Sequence, residues 1–171
     1  MVGAPVSPAA AQTAGPSRDD VQVVYLFNFA KFVRWPEGSG QGPLTICVAG
    51  QKGYVESLGR LVKGEQVDGR PLGVKGVHGA GDVGGCDIVF LGDGAKDQID
   101  AVVAATAGKP VLTVSDQEGF LERGGMIQFV VIGNRVRFSV DLGPAQRSGI
   151  GLSSELLKVA VAVKGAAGGG R

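Results

Sequence analysis

Residues 87–114 read Asp-Ile-Val-Phe-Leu-Gly-Asp-Gly-Ala-Lys-Asp-Gln-Ile-Asp-Ala-Val-Val-Ala-Ala-Thr-Ala-Gly-Lys-Pro-Val-Leu-Thr-Val, and their pattern decides the fold. Asp87 to Gly92, apolar from Ile88 on, reads as a buried strand, about Lys96 to Ala107 as a helix, and Pro110 to Val114 as another buried strand. Strands that lack polar alternation are those covered on both faces, and their alternation with helices is the pattern of a parallel sheet. Upstream the same pattern continues. Leu44 to Ala49 is a short apolar strand ending at Gly50, about Tyr54 to Val62 is a helix, and Gly69-Arg70-Pro71 leads into a strand through Leu72, Val74 and Val77. The stretch His78 to Gly85 reads as a connecting helix reduced to a glycine-rich loop. The first two-thirds of the chain is therefore α/β, a mainly parallel sheet flanked by helices.

Downstream the pattern becomes antiparallel. Met126 to Ile132 and Arg135 to Leu142 flank Gly133-Asn134, a two-residue hairpin signal. In the second of these strands Val136, Phe138, Val140 and Leu142 share one face, and Arg135, Arg137, Ser139 and Asp141 share the other. One face is core and the other is wet or lies in an interface. After a turn at Gly149, Ser153 or Ser154 caps a terminal helix expected to run through Leu156, Leu157, Val159, Ala160 and Val163.

Near the other end, Tyr25 to Pro36 holds five of the ten aromatic side chains. Asp19 and Asp20 suit the cap and first turn of a helix, and Pro36 disfavours helical geometry at the residue before it. Val21, Val24, Tyr25, Asn28, Phe29 and Phe32 fall at helical spacing, so the aromatics read first as core. Gly38 to Pro43 follows as a loop. Residues 1–19, rich in Ala, Pro, Gly and Ser, carry no periodicity and are expected to be disordered, as a remnant of an export signal or a linker. Pro8-Ala9-Ala10-Ala11-Gln12 is like the small-residue cleavage region of a secretory signal, without the charged and long apolar regions that should precede it. Truncation inside a signal peptide and ordinary low-complexity sequence both fit. The expected organisation is one domain over residues 20–164 and a frayed tail over 165–171.

A length of 171 residues allows one domain with a substantial core. Lysine and arginine total 17 against 16 acids, a balance that argues against nucleic acid or an anionic membrane surface as the main partner. No apolar run reaches the roughly 18 residues of a membrane span, so direct membrane insertion is not expected.

The residues that could carry chemistry each have a plainer reading. Cys47 lies inside the first central strand and Cys86 just before the third segment of the sheet; if those strands are neighbours, a bridge and two buried free thiols are both open. Two cysteines and the lone His78, without CxxC or HxxxH spacing, do not make a metal site. No nucleophile motif accompanies His78. Asp116, Glu118 and Glu122 could serve as acid and base, yet they fall where acids are ordinary capping residues. The loop Ser115 to Phe120 ends an α/β strand, a position where such sheets bind ligands. No phosphate-cradling motif occurs among the glycines, so no cofactor is expected. Arg34 beside Trp35, and Arg137 on the polar face of its strand, could each offer a cation to a ligand or partner; most exposed arginines are only solvated.

Taken together, Phe32-Val33-Arg34-Trp35-Pro36, Gly119-Phe120-Leu121, Gly124-Gly125-Met126-Ile127-Gln128-Phe129, Val136-Arg137-Phe138-Ser139-Val140-Asp141 and Ser153-Ser154-Glu155-Leu156-Leu157-Lys158-Val159-Ala160 resemble the YfiR family of small periplasmic proteins, from about Val21 to Val163. Asp141 departs from the pattern, in which an Asn is expected. The resemblance implies a disulfide between Cys47 and Cys86, a periplasmic location and no catalytic centre. It further implies a regulator that restrains a membrane-anchored diguanylate cyclase by binding its periplasmic portion, with redox or envelope signals relieving the restraint and so changing cyclic-di-GMP and biofilm formation. A homodimer stays open beside that partner. The competing readings are a periplasmic small-molecule binding protein and, last, an envelope hydrolase using Asp116 or Glu118.

Overall fold

The computed structural model describes residues 17–38 and 41–165; of the expected leader over residues 1–19 and tail over 165–171, residues 1–16 and 166–171 lie outside them. Ser17 opens the first helix, α1 (Arg18–Phe32), with a reciprocal cap. Its hydroxyl accepts from the Asp20 amide at 3.0 Å, and the Asp20 carboxylate accepts from the Ser17 amide at 3.2 Å. The cap expected at Asp19 or Asp20 is thus at Ser17, and the expected domain boundary at residue 20 falls inside the first turn. There the two aspartates face the positive end of the helix dipole.

The buried stripe of α1 is also rotated from expectation. Gln22, Val23, Leu26, Phe29 and Ala30 are buried, whereas Val24 and Phe32 are 46% and 40% exposed. This stretch is apolar over most of its circumference, so several overlapping stripes satisfy helical spacing. Packing chooses among them: α1 lies against both a second helix and the C-terminal hairpin.

Eight strands form one sheet, β2 (Leu44–Ala49), β3 (Gln66–Val67), β4 (Arg70–Gly76), β5 (Ile88–Leu91), β6 (Leu112–Ser115), β7 (Ile127–Ile132), β8 (Arg135–Asp141) and β10 (Ala162–Lys164), in the order β10-β8-β7-β6-β5-β2-β4-β3. All neighbours are parallel except the hairpins β7–β8 and β3–β4. Helices α2 (Lys52–Val62) and α3 (Ile99–Thr106) make the crossovers from β2 and from β5. A separate two-stranded ribbon pairs β1 (Val33–Arg34) with β9 (Gly151–Leu152).

The continuous apolar runs are explained by the two cores. Ile46, Val48, Ile88, Phe90, Leu112 and Val114 pack with α1, α2 and the hairpin. Their sequence neighbours Cys47, Ala49, Val89 and Leu91 point the other way and pack with Ile99 and Val102 of α3. Each strand buries both its even and its odd positions, so no polar alternation survives.

The hairpin turns on Gly133 (φ 57°) and Asn134 (φ 66°), the paired left-handed residues of a two-residue turn that matches strand twist. Val136, Phe138 and Val140 are buried, Arg135 is exposed, and Arg137, Ser139 and Asp141 are half-buried. Leu142, expected to continue this strand, instead begins α4 (Leu142–Arg147), capped by Asp141, whose carboxylate accepts from the Gly143 amide at 3.0 Å. The final helix is shorter than expected. Helix α5 (Ser154–Val159), capped by Ser153, stops at Ala160, and Val163 lies in β10 beside β8. Alternating Ala and Val satisfy either period, and the Val161 amide bonding to the Phe138 carbonyl at 2.9 Å commits them to the sheet. The helix expected from Lys96 starts as 3-10 turns over Asp93–Gln98 and becomes α-helical at Ile99.

Candidate functional sites

Cys47 and Cys86 are joined by a disulfide, with Cα atoms 5.9 Å apart. Parallel pairing of Cys47 with Val89 across β2 and β5, and the Asp87 amide bonded to the Thr45 carbonyl at 2.9 Å, bring the two cysteines together. Both are buried in the α3-side core, at 0% and 4% exposure. The bridge therefore fastens the end of the glycine-rich 78–85 loop to the central strand, where reductants have little access.

At the opposite end of the sheet a cleft of about 910 Å³ opens beside the carboxyl ends of β2 and β4, lined in part by Asp19, Asp20, Gln51, Lys52 and His78. The strand order β4-β2-β5-β6-β7 places the sheet's switch of winding direction between β2 and β5. That crevice is closed by the protein's own backbone. The Gly94 amide bonds to the Gly50 carbonyl at 3.1 Å, and a Cβ on Gly50 would lie 2.3 Å from the Ala95 amide nitrogen. Tyr54 forms the cleft's inner wall: its hydroxyl donates to Gln22 Oε1, stands 3.3 Å from Asp19 Oδ1, and its ring stacks on Phe90 at 5.1 Å. Burial first, and then the Asp19 charge, push its ionisation well above the ordinary value.

A third feature is a groove of about 940 Å³ between the start of α1 and the hairpin, floored by Val21, Tyr25, Val131 and Val159. Arg18, Arg135 and Arg137 rim it. The Arg137 Nη2 donates to the Val159 carbonyl at 3.2 Å. Arg34 and Trp35 are elsewhere. They follow the last turn of α1, a helix that at 15 residues is roughly 22 Å long. Arg34 is exposed on the β1–β9 ribbon, and Trp35 is half-buried against the main core, its indole nitrogen without an acceptor among the described residues. The structure thus separates the Arg34–Trp35 pair from Arg137 and sets Arg137 beside Arg18 and Arg135, two residues that sequence reasoning did not single out. Their convergence depends on the hairpin folding back on α1, and no local spacing records that.

The acids weighed for catalysis are engaged separately or exposed. Asp116 accepts from the Gln117 side-chain amide at 2.8 Å, Glu122 pairs with Lys164 at 3.7 Å, and Glu118 is exposed. His78 is exposed, and its backbone amide donates to Asp82 at 3.0 Å.

Residues 19–161 match the family described as YfiR/HmsC-like. The chain belongs to that family. YfiR/HmsC-like proteins are periplasmic regulators of cyclic-di-GMP signalling rather than enzymes. Among the described residues no helix is long and apolar enough to cross a membrane. The fold is shared with two solved structures. A conserved domain protein from Vibrio cholerae O1 biovar eltor is 14% identical with a TM-score of 0.55, over 88% of this chain and 62% of that one. An ABC domain in complex with L-Trp from Streptococcus pneumonia is 13% identical with a TM-score of 0.58, over 86% of this chain and 60% of that one. The YfiR/HmsC-like chain therefore spans less than two-thirds of the length of either. Asp141, where an Asn was expected from the YfiR resemblance, accepts the capping hydrogen bond as an Asn carbonyl would and adds a 3.9 Å ion pair with Lys164.

Proposed function

We propose that this protein binds the periplasmic portion of a membrane-anchored diguanylate cyclase and represses it. Membership of the YfiR/HmsC-like family over residues 19–161 is the observation that carries this reading. The regulator would bind one arrangement of the cyclase better than the other, and that difference in affinity shifts the enzyme toward its inactive state. Release follows from whatever lowers the difference, an envelope-stress or redox signal. The burial of Cys47 and Cys86 suits a bond that holds the domain's shape more than one that reports the redox state directly.

Deleting the gene in its native host, with cyclic-di-GMP measured across envelope-stress and redox conditions, tests the proposal. Raised nucleotide on deletion and co-purification of the cyclase are expected. Unchanged nucleotide in every condition, with no membrane partner recovered, would sink it.

The cleft beside β2 and β4 favours a second reading, a small-molecule binding protein. Thermal melts against periplasmic metabolites separate the two. A saturable rise in melting temperature, lost when the cleft is blocked by Gly53→Trp, supports the second.

A further inference from the structure

We propose that the groove between α1 and the outer edge of β8 receives an extended acidic segment of a protein partner, laid along Arg135–Arg137 with its carboxylates on Arg18, Arg135 and Arg137. This rests on the reading of the protein as a regulator that acts through a partner, and it adds where the partner sits and what chemistry recognises it.

The first support is an incomplete sheet edge. Strand β10 pairs with β8 only through Ser139, Val140 and Asp141. The preceding Arg135, Val136 and Arg137 pair with Ile132, Val131 and Val130 of β7 on one side and, among the described residues, have no strand on the other, where the Val136 carbonyl accepts from the Tyr25 hydroxyl at 3.3 Å. An extended chain can lie along this edge in line with β10, drawing its affinity and specificity from side-chain contacts more than from main-chain pairing. The groove lies along this edge, and its floor is apolar: Val131 and Val159 are 45% and 49% exposed. Aliphatic side chains of an added strand would cover them.

The second support is charge. Three arginines and no carboxylate line the groove. Among the described residues none of the three makes an ion pair, although the whole chain is nearly neutral at +1. Arginine offers a planar donor fork matched to a carboxylate, so the complement is Asp or Glu. Residues 1–16 and 166–171 contain no Asp or Glu, and the acidic complement is assigned to another molecule. A concave groove suits a strand-shaped occupant better than a flat anionic bilayer, and its one aromatic, Tyr25, is turned to the Val136 carbonyl at 3.3 Å.

The test places the photo-crosslinker p-benzoylphenylalanine at the Val131 position of the full chain in its native envelope, and maps the captured peptide by mass spectrometry. The expected product is an adduct with a protein segment rich in Asp or Glu. Its yield should fall at least about tenfold in the Arg135→Glu, Arg137→Glu double variant and severalfold in Arg18→Glu, each with an unchanged melting temperature. If the hairpin variant fails to fold, Arg18→Glu decides, since an acid in the first turn of a helix suits its dipole. Adducts only with lipid, with a second copy of this chain or with a segment free of acids, no adduct at all, or a yield indifferent to charge reversal would each overturn the proposal. Capture of an acidic segment from a protein other than a diguanylate cyclase leaves the groove standing and removes the cyclase reading.

Discussion

Tyr54 Oη donates to the side-chain carbonyl of Gln22 inside the core, tying α2 to α1 where Tyr54 is 2% and Gln22 1% exposed. A buried amide oxygen without a donor is costly, so the pair should behave as a unit. Tyr54→Phe retains the stacking on Phe90 but strands the Gln22 oxygen, and should cost about 1–3 kcal/mol. Adding Gln22→Leu to Tyr54→Phe should recover much of that loss. Urea denaturation of the four proteins in a double-mutant cycle measures the coupling.

The same hydroxyl makes stability fall in alkali. Burial holds its ionisation in the folded protein far above the ordinary value of 10.0. The folded state therefore keeps a proton that the unfolded chain releases. This contribution is fully present below pH 10 and is lost as pH rises beyond it, by about 1 kcal/mol for each pH unit. Denaturation midpoints of the wild type measured from pH 8 to 11 should drop above pH 10, and the Tyr54→Phe protein should show a shallower fall.

The disulfide closes a sequence separation of 39 residues. Replacing both cysteines, Cys47→Ser with Cys86→Ser, should remove about 4 kcal/mol on the loop-entropy account, and the buried hydroxyls add to the loss. Guanidinium unfolding of the variant against the oxidised protein checks the magnitude. Peptide mapping without reductant, on protein exported to an oxidising compartment, checks the pairing.

Two glycines should respond oppositely to alanine. Gly50 has φ +77°, and an added Cβ would strike the Ala95 backbone nitrogen at 2.3 Å. Gly50→Ala should cost on the order of 3 kcal/mol, because backbone has to move to admit the methyl group. Gly59 sits within α2 with nothing near its missing Cβ. Gly59→Ala should stabilise by about 0.5–1 kcal/mol through helix propensity. Paired thermal melts test both signs.

What was legible in the sequence divides along a physical line. Runs such as Ile88 to Leu91 and Leu112 to Val114 announce a parallel sheet because burial on both faces leaves no polar alternation, and Gly133-Asn134 announces its hairpin through a local backbone demand. The register of α1 was not legible, since Val24 and Val23 are equally apolar and only the position of the hairpin and α2 decides that Val23 is buried. Val163 was not legible for a related reason: it fits a helix ending or a strand beginning, and the outcome rests on pairing with Val140 of β8, 23 residues earlier. The candidate site was half legible. Arg137 stands out by alternation along its own strand, whereas Arg18 reaches the same groove only through tertiary packing.

The adjacent residues Phe138 and Arg137 separate stability from recognition. Phe138 is fully buried, meeting Tyr25 and Phe29 edge-on at 5.3 and 5.2 Å. Phe138→Ala should therefore cost roughly 3–5 kcal/mol through lost burial and the cavity left between α1 and β8, and any loss of binding would follow from unfolding. Arg137 is half-buried and its guanidinium donates to the Val159 carbonyl at the groove rim. Arg137→Glu leaves the apolar face untouched and should shift stability by only about 0.5 kcal/mol. A reversed charge at a true interface weakens association far more than it weakens folding. Denaturant melts beside a pull-down with the periplasmic portion of the cyclase distinguish the two variants. Unfolding by Arg137→Glu would show that this side chain supports the fold; normal folding with undiminished binding would move the interface away from Arg137, toward surfaces such as that of Arg34 and Trp35.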